Sequence, residues 1–277
     1  MTLSTLLVHL DDSTHAAGRY ELAAKTAAEH GARLIGLAPI ATLPFRVNLA
    51  RALPRDEIEA AVARSQARAR EMVAQFETIA GRFELPGFES RISELGVLDA
   101  MSQAARYADL VVVSQDDSEQ FLDTPRDLGV ELVMQSGRPV LIVSRAWRGR
   151  PIGQRVAAAW DGSREATRAL TDALPILRRA AQVDVLIFNS SRRAQSHGEE
   201  PGADIGLWLT RHRIKVNVIR STVDFEIGSA MLSQIADLDS DLVVMGGYGH
   251  SRLRESLFGG VTRTMLESMT VPVLMSH

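Results

Sequence analysis

The sequence contains no cysteine. Disulfides, thiolate zinc centres and cysteine nucleophiles are excluded together, so any chemistry must use oxygen, nitrogen and backbone groups. The chain also lacks a strong charge of either sign. Its formal net charge is −3 with 23% charged residues, and nothing biases it toward nucleic acid or a membrane surface. No apolar run approaches the roughly 20 residues needed to span a bilayer. Met1–Asp12 has no basic leader and reads as a first strand rather than a signal peptide. A cytoplasmic protein with no nucleic-acid and no membrane partner is expected. Committed catalytic patterns are missing as well: there is no H-E-x-x-H, no G-x-x-x-x-G-K-[ST] loop and no Ser-His-Asp order. His9, His15, His30, His197, His212 and His277 are scattered without ligand spacing, which argues against a metal site built from side chains alone.

What is present is size, apolar content and a repeat. A length of 277 residues with 45% hydrophobic content suits two ordinary domains, each large enough for its own core. Leu7-Val-His-Leu-Asp11-Asp12-Ser13 pairs with Ala157-Ala-Ala-Trp-Asp161-Gly162-Ser163, and Asp109-Leu-Val-Val-Val-Ser114 pairs with Asp241-Leu-Val-Val-Met-Gly246. Arg138-Pro139-Val-Leu-Ile-Val-Ser144 pairs with Val271-Pro272-Val-Leu-Met-Ser276. The Arg- and Gly-rich segment Ser144–Gly153 reads as a linker, placing one domain at 1–147 and a second at 148–277.

Within each half, short apolar runs alternate with helical patterns, the sequence form of a parallel sheet covered on both faces. The runs fall near Thr5–Leu10, Arg33–Pro39, Glu89–Leu95, Leu110–Ser114 and Val140–Ser144, and again near Val156–Trp160, Asp184–Phe188, Lys215–Thr222, Leu242–Met245 and Val273–Ser276. The expected fold is therefore α/β: two tandem doubly wound domains, each with a five-stranded, mainly parallel sheet. Ser163 opens one helix as a cap, spaced apolar residues mark another from Asp224 to Ile235, and the first half inserts a long helix over Pro54–Phe76 where the second has only Asp204–Arg213.

The run after the ninth strand holds the sharpest motif: Gly246-x2-Gly249-x9-Gly259-Gly260 follows an apolar strand. Glycines permit left-handed angles and expose N–H groups to anionic oxygens, and a following helix aims its positive dipole end at the same place. The spacing describes a phosphate cradle. The matching place in the first half reads Ser114-Gln-Asp116-Asp117-Ser-Glu119, with no glycine and three carboxylates that repel phosphate, so no triphosphate site is expected there.

The glycine spacing, the closing strand Thr270–Ser276 and the opening strand Arg155–Ser163 resemble the universal stress protein family, in a tandem two-domain form. That resemblance implies a Rossmann-like fold of the adenine nucleotide alpha hydrolase type and an adenine nucleotide, ATP or else ADP or AMP, in the C-terminal domain. It implies that Asp161 sits beside the ribose or a phosphate-bound Mg²⁺, that Ser163 lies in the same turn, and that backbone groups at Phe188 or a neighbour meet adenine. Gly246, Gly249, Gly259, Gly260 and Val261 would line the phosphates, with His250 and Arg252 beyond them. The family usually carries Ser or Thr after the third motif glycine. Here Gly260 stands there, and Thr262 is the nearby hydroxyl. Family domains associate through their last strands, so Val140–Ser144 and Val273–Ser276 are expected to pair as an intramolecular pseudo-dimer, with a homodimer also open. The implied role is regulatory or protective under stress, with hydrolysis slow or absent. A weak ATP hydrolase and a nucleotide-independent interaction module are the alternatives.

Overall fold

The computed structural model describes residues 2–40, 54–115, 128–189, 200–247 and 260–277. By contacts the chain divides into two compact units, Thr2–Arg138 and Pro139–His277.

The N-terminal unit runs β1 (Thr5–His9), α1 (Ala16–His30), β2 (Arg33–Pro39), α2 (Arg55–Ala80), β3 (Phe88–Ser93), α3 (Val97–Ala105), β4 (Leu110–Ser114) and α4 (Leu128–Ser136). Its strands lie in the order β3-β2-β1-β4 and are all parallel. Leu6, Leu7 and Val8 of β1 and Leu110 to Val113 of β4 are fully buried, as continuous apolar runs in a doubly covered sheet must be. Gly36 in β2 shows a close approach. A Cβ there would lie 2.7 Å from the ring of Phe76, so the missing side chain admits that ring, which also meets Tyr20 and Phe88 edge-on at 5.9 and 6.2 Å. Helix α2 extends four residues past the expected Phe76, and its buried residues all lie from Ala69 onward.

The C-terminal unit contains β5 (Val140–Val143), β6 (Arg155–Ala159), α5 (Arg164–Leu177), β7 (Gln182–Phe188), α6 (Ala203–Arg211), β8 (Val216–Ser221), α7 (Ile227–Asp237), β9 (Leu242–Gly246), α8 (Gly260–Ser268) and β10 (Val273–Ser276). Its strand order is β5-β10-β9-β6-β7-β8, parallel throughout except that β5 runs antiparallel to β10, with Ile142 opposite Val273 and Val140 opposite Met275. The expected pairing of the two last strands is thus present, and by contacts β5 groups with the second unit.

The repeat has a structural signature at the start of the central strands. Asp109 accepts the backbone amides of Ser4 and Thr5 at 2.8 and 3.0 Å, and Asp241 accepts those of Gly153, Gln154 and Arg155 at 2.6 to 3.1 Å. These carboxylates tie β4 to the entry of β1 and β9 to the entry of β6. In each unit the chain winds outward from the central strand and then returns to its other side, giving a topological switch point between β1 and β4 and between β6 and β9. Open α/β sheets bind ligands at that crevice, at the carboxyl ends of the strands. Among the described residues no helix is long and apolar enough to cross a membrane.

Candidate functional site

Strand β6 ends at Ala159, and two residues later Asp161 turns the chain into α5. Asp161 Oδ1 accepts the amide of Ser163 at 3.0 Å, and Ser163 Oγ accepts the amide of Ala166 at 3.1 Å. The first bond closes an Asx turn, and the second caps the helix by satisfying one of its free N–H groups. The remainder of the turn stays half-buried, so Asp161 and Ser163 remain at the crevice edge.

Across the switch point, Gly246 closes β9. A Cβ on Gly246 would fall 2.6 Å from Ala166 N and Glu165 C, so the strand end presses against the first turn of α5 and only glycine fits. The next amide, Gly247 N–H, donates to Ser276 O at 2.8 Å, and Gly247 O accepts a bond at 2.9 Å from His277 Nδ1. Beside them Glu165 is buried: its Oε1 accepts Arg164 Nε at 2.7 Å, while Oε2 has no hydrogen-bond partner among the described residues. Burial pushes this carboxyl upward, but hydrogen bonding, first from Arg164, and the charge of that guanidinium outweigh it and hold it below the ordinary glutamate value.

The predicted residues divide as follows. Asp161, Ser163 and Gly246 flank the β6/β9 switch point. Phe188 ends β7, and the next residue, Asn189, takes a positive φ of 51°. Asn189 Oδ1 accepts Val223 N at 2.9 Å and its Nδ2 donates to Val223 O at 3.1 Å, which clips the segment after β7 to the segment after β8. Gly260 is exposed at the first position of α8, Val261 follows half-buried, and Thr262 is buried. Gly249, His250, Arg252 and Gly259, like Asp116, Asp117 and Glu119 of the first half, lie outside the described residues.

The equivalent switch point in the N-terminal unit is filled by side chains. Arg19, fully buried, donates from Nε to His9 O at 2.9 Å, from Nη1 to Ser114 Oγ at the end of β4, and sets Nη2 2.9 Å from Asp11 Oδ1. Asp11 Oδ2 lies 3.4 Å from His9 Nδ1, and the Tyr20 hydroxyl donates to Asp11 O at 2.9 Å. Burial would raise the Asp11 carboxyl, yet the guanidinium holds it well below the usual range. Burial also depresses His9 to about 4, keeping it neutral, and lifts Tyr20 to about 12. Sequence reading missed Arg19. In the helix pattern an arginine reads as a surface residue, and only the fold brings it under Ser114.

The C-terminal residues 153–277 match the model of the universal stress protein family. Along the whole chain the fold is similar to a universal stress protein from Archaeoglobus fulgidus DSM 4304. That similarity has 15% identity and a TM-score of 0.72, and covers 99% of this chain and 96% of that one. It is also similar to a functionally unknown protein from Pseudomonas aeruginosa PAO1, with 14% identity, a TM-score of 0.57, and coverage of 99% and 92%. These likenesses are likenesses of fold, and they take in both halves of the chain. No curated protein matches it in sequence.

Proposed function

We propose that this chain, which through its C-terminal unit belongs to the universal stress protein family, holds one adenine nucleotide at the β6/β9 switch point and acts as a nucleotide-dependent regulatory or protective protein in the cytoplasm. The observation that carries this reading is the contrast at the two crevices. The N-terminal one is filled by Arg19 bonded to Ser114, whereas the C-terminal one has Gly246 at the strand end and glycine again at the start of α8. Backbone N–H groups of Gly246, Gly249, Gly259, Gly260 and Val261 would meet phosphate, with Thr262, His250 and Arg252 nearby, Asp161 toward the ribose and backbone beside Phe188 toward the base.

Among the described residues no cluster of side chains builds a site for a resident Mg²⁺. The described residues contain no group of three His, Asp or Glu ligands, and Asp161 Oδ1 already accepts an amide. A cation would arrive with the phosphates of ATP and depart with them. Among the described residues no side chain at the switch point stands out as a base to activate water, and slow or absent turnover is the expected outcome.

The test is purification without added nucleotide, followed by denaturation and identification of any released small molecule. About one adenine nucleotide per chain is expected, with Asp161→Ala weakening binding and leaving the fold intact by circular dichroism. Empty protein that also fails to bind added Mg-ATP would turn the reading to a nucleotide-independent interaction module. Asp161-dependent ATP turnover well above background would turn it to a hydrolase.

A further inference from the structure

We infer that Glu226 sets how many phosphates the C-terminal site accepts, selecting a nucleoside monophosphate over a triphosphate when no divalent cation accompanies the ligand. The inference rests on the nucleotide reading above and specifies it further. Glu226 precedes α7 at its N-cap position but makes no side-chain cap to that helix. Its carboxylate instead turns to α8 and to its own first turn: Oε1 accepts the Thr264 hydroxyl, and Oε2 accepts Ser229 Oγ at 3.0 Å. A Cβ on Gly260, the first residue of α8, would lie 3.7 Å from Oε1. The carboxylate therefore lies along the first turn of α8, at the end whose dipole otherwise attracts anions.

The helices that flank this carboxylate are closely packed. A Cβ on Gly228 would fall 2.7 Å from Thr264 Cβ, so α7 and α8 meet with no space between them at this level. The hydroxyl bonds from Thr264 and then Ser229 hold the carboxyl below its ordinary value, and it stays ionised at neutral pH. Arg263, one residue before Thr264, is paired with Glu267 at 2.7 Å. The other end of the same segment is tied to the base side of the site, where Asn189 grips both backbone groups of Val223. Residues 223–226 thus run from beside the expected adenine contact to beside the expected phosphate helix. A fixed negative charge at the phosphate end penalises each further phosphate.

Calorimetric affinities for AMP, ADP and ATP, with EDTA and then with Mg²⁺, test this in the wild-type chain, Glu226→Gln and Glu226→Ala. Gln keeps the size and can still accept the Thr264 hydroxyl, so the charge alone is removed. In EDTA the wild type is expected to bind AMP more tightly than ATP. Glu226→Gln should raise ATP affinity about fivefold, the scale of one screened charge, with a smaller gain for AMP. The wild-type gap should narrow with added salt or Mg²⁺. Equal changes for all three ligands, or an effect confined to Glu226→Ala, would overturn the inference and leave the nucleotide reading standing. No binding of any nucleotide to wild type or either variant would overturn both.

Discussion

After β1 the chain places Asp11, and after β6 it places Asp161. Each accepts the amide of the serine two residues on, at 3.0 Å in both units. The turn is duplicated faithfully, but its surroundings are not. Eight residues past Asp11 stands Arg19, and eight past Asp161 stands Ala169. At the end of the neighbouring strand Ser114 answers to Gly246. One copy therefore supplies its own cation to the crevice and closes it with an ion pair, while the other ends its strand in a glycine packed against the first turn of α5. The same turn can thus stand in two electrostatic settings, provided a buried charge is matched from within.

Breaking the ion pair should have the largest effect. Arg19→Met keeps bulk but leaves the half-buried Asp11 without its cation, and about 3–5 kcal/mol of stability should be lost from the N-terminal unit. Trp147, Trp160 and Trp208 all lie in the C-terminal unit, so urea titration followed by circular dichroism should show the loss while tryptophan emission is largely spared. Acid probes the same network. His9 titrates at about 4 when folded against an ordinary value of 6.5, so the unfolded chain binds its proton first. The stability His9 contributes is complete above pH 6.5 and falls by about 3 kcal/mol as the pH drops toward 4; His9→Asn should flatten that slope in denaturation midpoints measured across the window.

Making the second crevice resemble the first is the next test. Gly246→Ser introduces a Cβ 2.6 Å from the backbone of Glu165 and Ala166 and should cost about 1–3 kcal/mol, read this time in tryptophan emission. The smallest effect separates the two turns: Ser163→Ala removes a cap and should cost about 1 kcal/mol. Ser13→Ala should cost close to nothing, because Ser13 Oγ has no hydrogen-bond partner among the described residues.

Much of the fold was legible because both period and repeat survive in the sequence. The expected strands fall within two residues of those observed, and the capping role of Ser163 is present as read. Asp109 and Asp241 were legible only as the residues that open two matching strands. Their work as anchors for other strands depends on partners more than 80 residues away, which no local pattern reveals. The start of α7 was placed three residues early, at Asp224 rather than Ile227, because Asp224-Phe-Glu226 mimics a helical first turn in composition. What it does instead is cross between two strand ends, with Glu226 turned to α8. Arg19 and Glu165 were illegible for a common reason: a buried charge is an exception to composition rules, and its justification lies in the residues the fold brings against it.

The antiparallel pairing of β5 with β10 has a consequence for cutting the chain. Between β5 and β6 lies the exposed turn around Arg148 and Gly149, a natural target for a protease. A nick there would sever the backbone without freeing the pieces. The upstream fragment would still clasp the downstream one through three buried residue pairs, Val140–Met275, Leu141–Leu274 and Ile142–Val273, and through the Ser144 hydroxyl bonded to Met269 O. The molecule should therefore behave as a self-complementing pair of fragments, migrating as two bands under denaturing conditions and as one particle in native buffer.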